Sequence, residues 1–189
     1  EAVENYAPDI ALLQTLRELY KRTGDYSKSL QTLEKEIGQH WDETTQIALL
    51  LEKADICQNR INQVAAAIAT LETVLQNSPQ NSVAFVQLAN IYRQRKDYAK
   101  LVRLLEQQCQ VLPIEKSQKL FVERAYLLEK YLDQYEEAIR LLQQAPQEAE
   151  VRGYLESLYR RQNRWENIIK IQEEELKTML RNHILMKMP

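Results

Sequence analysis

Chain breakers are scarce in this 189-residue sequence, which holds three glycines and five prolines. A loop-rich or all-β fold, which spends such residues at every turn, is excluded on that ground. Histidine occurs twice, at His40 and His183, and cysteine twice, at Cys57 and Cys109, with no CxxC and no Cys/His clustering. Neither a zinc site, a disulfide framework nor a His-based triad is readable, and the two thiols read as small buried hydrophobes. No apolar run reaches the roughly 18 residues of a membrane span, and the charged start at Glu1 is no signal peptide. Charge of one sign is missing too: 25 basic residues face 27 acidic ones, interspersed, for a net charge of -2. That leaves no electrostatic footprint for a phosphate backbone, so nucleic acid is not an expected partner. No GxGxxG, GxxxxGK[ST] or HExxH occurs, and three glycines leave no phosphate-cradling loop. The expectation is a chain with no catalytic residue, no metal and no cofactor. The run Glu173-Glu174-Glu175, with Lys170 and Lys177 at helical spacing, reads as a solvated helix face.

What is present is helical periodicity, repeated. Phe85, Leu88, Ala89 and Tyr92 form one apolar stripe of an α-helix; Tyr98, Leu101, Val102, Leu105 and Cys109 form a second, closed by Pro113. The pair makes a helical hairpin of about 34 residues. The same hairpin recurs. Tyr26, Val64, Tyr98, Tyr135 and Trp165 open successive second helices at separations of 38, 34, 37 and 30 residues. Ten positions before them stand Leu16, Ala54, Leu88, Ala125 and Leu155; seven after stand Leu33, Leu71, Leu105, Leu142 and, out of pattern, Gln172. Asp25, Asn62, Asp97, Asp133 and Asn163 precede the second helices by one or two places and are expected to cap them.

This grammar resembles the tetratricopeptide repeat. Leu13, Leu16, Tyr20, Gly24, Tyr26 and Leu33 match its pattern in the first unit, and Phe85, Leu88, Ala89, Tyr92, Tyr98, Leu105 and Pro113 in the third. The second keeps Ala67, Leu71 and Pro79, the fourth Tyr135, Ala138 and Leu142. At the small residue by which the family brings two helices together stand Arg17, Asp55, Ala89, Tyr126 and Glu156, of which only Ala89 fits. Splayed hairpins or a one-residue shift of register are expected at the others. The resemblance implies an all-α fold, an α-solenoid of about five antiparallel helix-turn-helix hairpins in a right-handed superhelix. It reads as a single repeat domain over 1–189 with units at about 9–41, 42–79, 80–113, 114–146 and 147–178 and an extended terminal helix at 179–189. Extra residues are expected around His40-Trp41-Asp42-Glu43, and Pro146 closes the fourth unit early.

The resemblance also implies a function: non-catalytic binding of a peptide or partner helix in a concave groove lined by the first helices. Carried onto this sequence, the groove positions are Gln14, Glu18, Lys21 and Arg22; Glu52, Ile56 and Asn59; Val86, Asn90 and Arg93; Glu123, Leu127 and Lys130; Tyr154, Ser157 and Arg160. Tyr131 and Tyr154 are the expected aromatic anchors, while Tyr20, Tyr26, Tyr92, Tyr98, Tyr135 and Tyr159 are expected to pack. Where a carboxylate-gripping variant of the family has a Lys-Asn pair, this chain has Gln14 and Glu18, which disfavours a terminal carboxylate as ligand. Basic residues at the ends of the first helices either complement the helix macrodipole or form a ledge for an acidic ligand. Met179, Leu180, Ile184, Leu185 and Met188 prolong an apolar stripe beyond the last hairpin, the mark of a fragment of a longer chain, of a homodimer through that helix, or both. Two other readings stand beside the scaffold: the recruiting arm of a larger enzyme, and a helical repeat that binds single-stranded RNA. Cysteine usage suits the cytoplasm, though a periplasmic repeat protein relieved of its leader looks similar.

Overall fold

The structure, a computed structural model, describes residues 9–39, 42–145 and 149–185, the side chains of 114, 115 and 182–185 aside. Among the described residues there are ten α-helices and no strand. They divide into two compact units, the first running to Lys96 and the second from Asp97. In the first unit α1 (Ile10–Thr23) and α2 (Tyr26–Ile37) form one hairpin, α3 (Glu43–Asp55) and α4 (Val64–Asn77) the next, and α5 (Ser82–Arg95) packs on α4. In the second, α6 (Tyr98–Val111) packs on α7 (Ile114–Leu132), which pairs with α8 (Tyr135–Gln144), and α9 (Ala149–Arg161) pairs with α10 (Trp165–Leu185). Every second helix begins on the residue expected to open it.

The turns inside the hairpins share one device. Two residues before each opener the backbone is left-handed: Gly24, Asn62, Lys96, Asp133 and Asn163, with φ between 53° and 77°. One such residue lets a helix stop and the chain reverse, its following amide bonding back to the last turn, as Asp25 N–H does to the Tyr20 carbonyl at 2.9 Å. Glycine takes this conformation freely and Asn or Asp with little strain. Asn62, Asp133 and Asn163 are therefore chain-reversing residues and not the N-caps expected of them; Gln63 and Gln134 occupy the N-cap positions of α4 and α8. Asp25 does cap, accepting from Lys28 N–H at 3.2 Å. Asp9, Asp42 and Asn81 cap first helices in the same way, each worth about 1 kcal/mol.

First helices alternate in length. α3 is prolonged by a π-helical turn over Ile56–Arg60, and α7 has 19 residues against 14 for α1 and α5. The added turns account for the longer repeat separations. Of the residues expected to supply them, Asp42 caps α3 and Glu43 begins it, while His40 and Trp41 lie outside the described residues, as does Pro146. Pro113 stands as the N-cap of α7.

The interior follows the repeat. Leu33, Leu71, Leu105 and Leu142, equivalent positions on four second helices, are fully buried, each contributing roughly 1.5–3 kcal/mol relative to exposure. Gln172, the fifth, is exposed. Cys57 is buried and Cys109 half-buried, both as free thiols; burial pushes Cys109 up to about 11.

Candidate partner-binding surface

On the first unit, α5 keeps one face out of the interior. Leu88, Ala89, Ile91 and Tyr92 are buried, while Val86, Asn90 and Arg93, at i, i+4 and i+7, are exposed. Arg93 Nη1 donates to Asn90 Oδ1 at 3.0 Å, so the stripe is ordered: an apolar residue, an amide and a guanidinium in line. Gln14, Glu18 and Arg22 are exposed on α1, and Asn59 on the π turn.

Between α1 and α3 the expected groove residues are bound to each other. Lys21 Nζ donates to Glu52 Oε1 at 2.9 Å and to Glu18 Oε1 at 3.1 Å. Arg17 Nη1 also donates to Glu52, and Arg17 Nε to Glu36 Oε2 at 2.8 Å. Arg17, at the position where a small residue was expected, is thus a charged bridge joining α1, α2 and α3. The hydrogen bond to Glu52 raises Lys21 above the ordinary lysine value. Burial works against the charge of Arg17, and Glu52 and Glu36 more than offset it.

Two residues expected on the groove belong to the interior. Ile56 packs in the core with Leu33 and Leu49. It begins the π turn, whose wider i→i+5 closure, Ile61 N–H to the Ile56 carbonyl at 3.1 Å, rephases the end of the helix. Leu127 is buried and Tyr126 exposed, so on α7 the outward face falls one residue from the expected register. Tyr131 stacks on Tyr98 with centroids 3.9 Å apart, and Tyr126 meets it edge-on at 6.1 Å. The three make a partly exposed aromatic patch where α6 starts and α7 ends, an arrangement the sequence reading did not foresee.

On the second unit Glu123, Tyr154 and Ser157 are half-buried, and Lys130 and Arg160 exposed. Tyr154 donates its hydroxyl to Glu129 Oε2 at 2.6 Å, and Arg161 Nη2 donates to the same oxygen at 2.9 Å. The Arg161 guanidinium also lies 5.8 Å from the Tyr154 ring centroid. Burial, then the Glu129 carboxylate, hold the Tyr154 phenol well above the usual tyrosine range. Glu129 was missed from sequence, Arg161 was read only as one of the basic residues ending the first helices, and Arg17 only as a misfit at a packing position. For Glu129 a signal existed: six residues before each opener stand Tyr20, Gln58, Tyr92, Glu129 and Tyr159, so a carboxylate occupies a repeated tyrosine position. A cleft of about 730 Å³ also opens on this unit, lined by Val102, Leu128, Tyr135, Arg124 and Gln162 among others. Arg124 Nε and Gln162 Oε1 are buried without a protein partner.

Among the described residues no group of three His, Cys, Asp or Glu could hold a metal ion, and no helix is long and apolar enough to cross a membrane. Residues 84–118 match the family model of the tetratricopeptide repeat. Over that stretch the chain carries a repeat of tetratricopeptide type. A tetratricopeptide repeat protein from Parabacteroides merdae shares this fold at 16% identity, with a TM-score of 0.50 over 93% of this chain and 69% of that one. Looser likenesses are MamA from Desulfovibrio magneticus RS-1, at 18% identity, TM-score 0.46 and 89% and 96% coverage, and a kinesin light chain with TPR-like repeats from Podospora anserina, at 21%, 0.43, 90% and 97%. Among curated proteins none matches. Repeats of this fold serve as protein-interaction scaffolds in general.

Proposed function

We propose that this chain is a non-catalytic module that binds a peptide or a partner helix along the exposed faces of its first helices. The observation that carries this reading is the α5 stripe of Val86, Asn90 and Arg93, exposed beside four buried neighbours. A helix face released from core duty, offering apolar contact, a hydrogen-bonding amide and a fixed cation in sequence, suits a peptide backbone with an acidic or polar side chain. Lys130 and Arg160 on α7 and α9 repeat the exposed cation in the second unit. Glu52 and Glu129, each tied to a neighbouring first helix, act as scaffolding for that lining and not as contacts.

A peptide library displayed on phage and selected on the wild-type chain tests the proposal, with Val86→Glu/Asn90→Ala/Arg93→Ala as counter-target. Selected peptides are expected to lose about tenfold or more in affinity for the variant, the loss of one or two hot-spot contacts. Equal binding to a variant of unchanged helicity contradicts the α5 assignment.

A further inference from the structure

Successive hairpins cover one another at fixed positions. Seven residues before the openers stand Leu19, Cys57, Ile91, Leu128 and Leu158. The last four are 2% exposed or less, each in a segment packed on the preceding second helix, whereas Leu19 on α1 is 50% exposed. Fourteen before, Ala84 and Val151 are fully buried and Leu12 is 54% exposed. The second helices show the other half of the seam. Four residues after the opener, Val102 and Ile139 are buried and Leu30 and Ile68 half-buried, while Ile169 is 56% exposed. Eleven after, Ile37, Leu75 and Cys109 are half-buried and Leu176 is 59% exposed.

The first described helix therefore presents an open first-helix half-seam, and the last an open second-helix half-seam. Both keep apolar residues there, where a capping face would be polar. On α10 Trp165 and Leu180 lengthen the stripe. Single exposed leucines are ordinary, but two such stripes on the two halves of one repeating contact are not.

We infer that α1 of one copy docks on α10 of another, head to tail, so that the contact joining α2 to α3, α4 to α5, α6 to α7 and α8 to α9 continues between molecules. The occupant is a second copy because each half-seam is complementary to the other and not to itself. Every internal seam sets a first helix on a second helix, and an α10–α10 pair would set two second helices together. A heterologous contact of this kind leaves one free half-seam at each end of a pair, so further copies add to it and association runs on past the dimer. Its area is that of one helix-on-helix seam, so it is weak and concentration-dependent. The inference is independent of the peptide-binding reading.

Sedimentation equilibrium of the chain over a wide concentration range tests it, with Leu19→Glu blocking one end and Ile169→Glu/Leu176→Glu the other; all these positions are exposed, and helicity by circular dichroism checks folding. The wild-type mass is expected to rise beyond that of a dimer, each blocked variant to stay monomeric, and their equimolar mixture to stop at a dimer. A wild-type chain that stays monomeric overturns the inference, as does a Leu19→Glu chain that still dimerises through paired α10 helices, or a mixture that stays monomeric.

Discussion

Each unit ties two of its first helices together through a carboxylate, and the ties are built from different chemistry. In the first unit Glu52 on α3 receives Arg17 and Lys21 from α1, and Arg17 also holds Glu36, which is fully buried on α2. In the second unit one deep carboxylate, Glu129 on α7, receives a neutral phenol and a half-exposed guanidinium from α9. The cost of breaking a pair depends on how far the remaining charge lies from water. The first tie joins three helices through one cation, the second joins two through one anion. Both networks are engaged within their own units, and the proposed partner-binding surface is what they leave over.

Arg17→Met breaks this comparison most severely, since it removes the cation shared by Glu36 and Glu52. A loss of about 3 kcal/mol is expected in urea unfolding followed by circular dichroism. Arg161→Ala costs less, about 2 kcal/mol, because the Tyr154 hydroxyl stays on Glu129 and the half-exposed guanidinium was partly screened already. The second tie also carries a pH signature. The folded chain holds the Tyr154 proton above the ordinary tyrosine value of 10.0. Its contribution to stability is therefore complete below that value and lost as the pH rises through the raised one. Tyr154→Phe is expected to flatten the fall of the urea midpoint above pH 10, and to remove a tyrosine that ionises above the ordinary value from an ultraviolet titration. Smallest is a gain: Gly153 lies inside α9 with nothing within 4 Å of an added Cβ, so Gly153→Ala is expected to raise stability by about 1 kcal/mol.

Much of the fold was legible because its signals are local. All five second helices begin at the residue whose spacing announced them, since an apolar stripe and its period lie in consecutive residues. Caps and turn residues were separated less well. Asn and Asp favour both an N-cap and a left-handed turn, and only the backbone shows that Asn62, Asp133 and Asn163 reverse the chain. On α5, whose register is undisturbed, Val86, Asn90 and Arg93 face outward as their spacing implied. On α3 and α7 the outward face was not legible: the π turn carries Ile56 inward, and a one-residue offset exchanges Leu127 with Tyr126. Arg17, read as a misfit at a packing position, is where long-range pairing decides, and its carboxylate partners lie 19 and 35 residues away. Pairing over such distances has no period to betray it.

The division between residues that hold the lining together and residues that present it is tested most directly by amide chemical-shift mapping of the isotopically labelled chain with a peptide selected from the library. Binding through the exposed first-helix faces predicts shifts concentrated on α5 around Val86, Asn90 and Arg93 and on α7 and α9 around Lys130 and Arg160. Shifts confined to the second helices α2, α4, α6, α8 and α10 would contradict it.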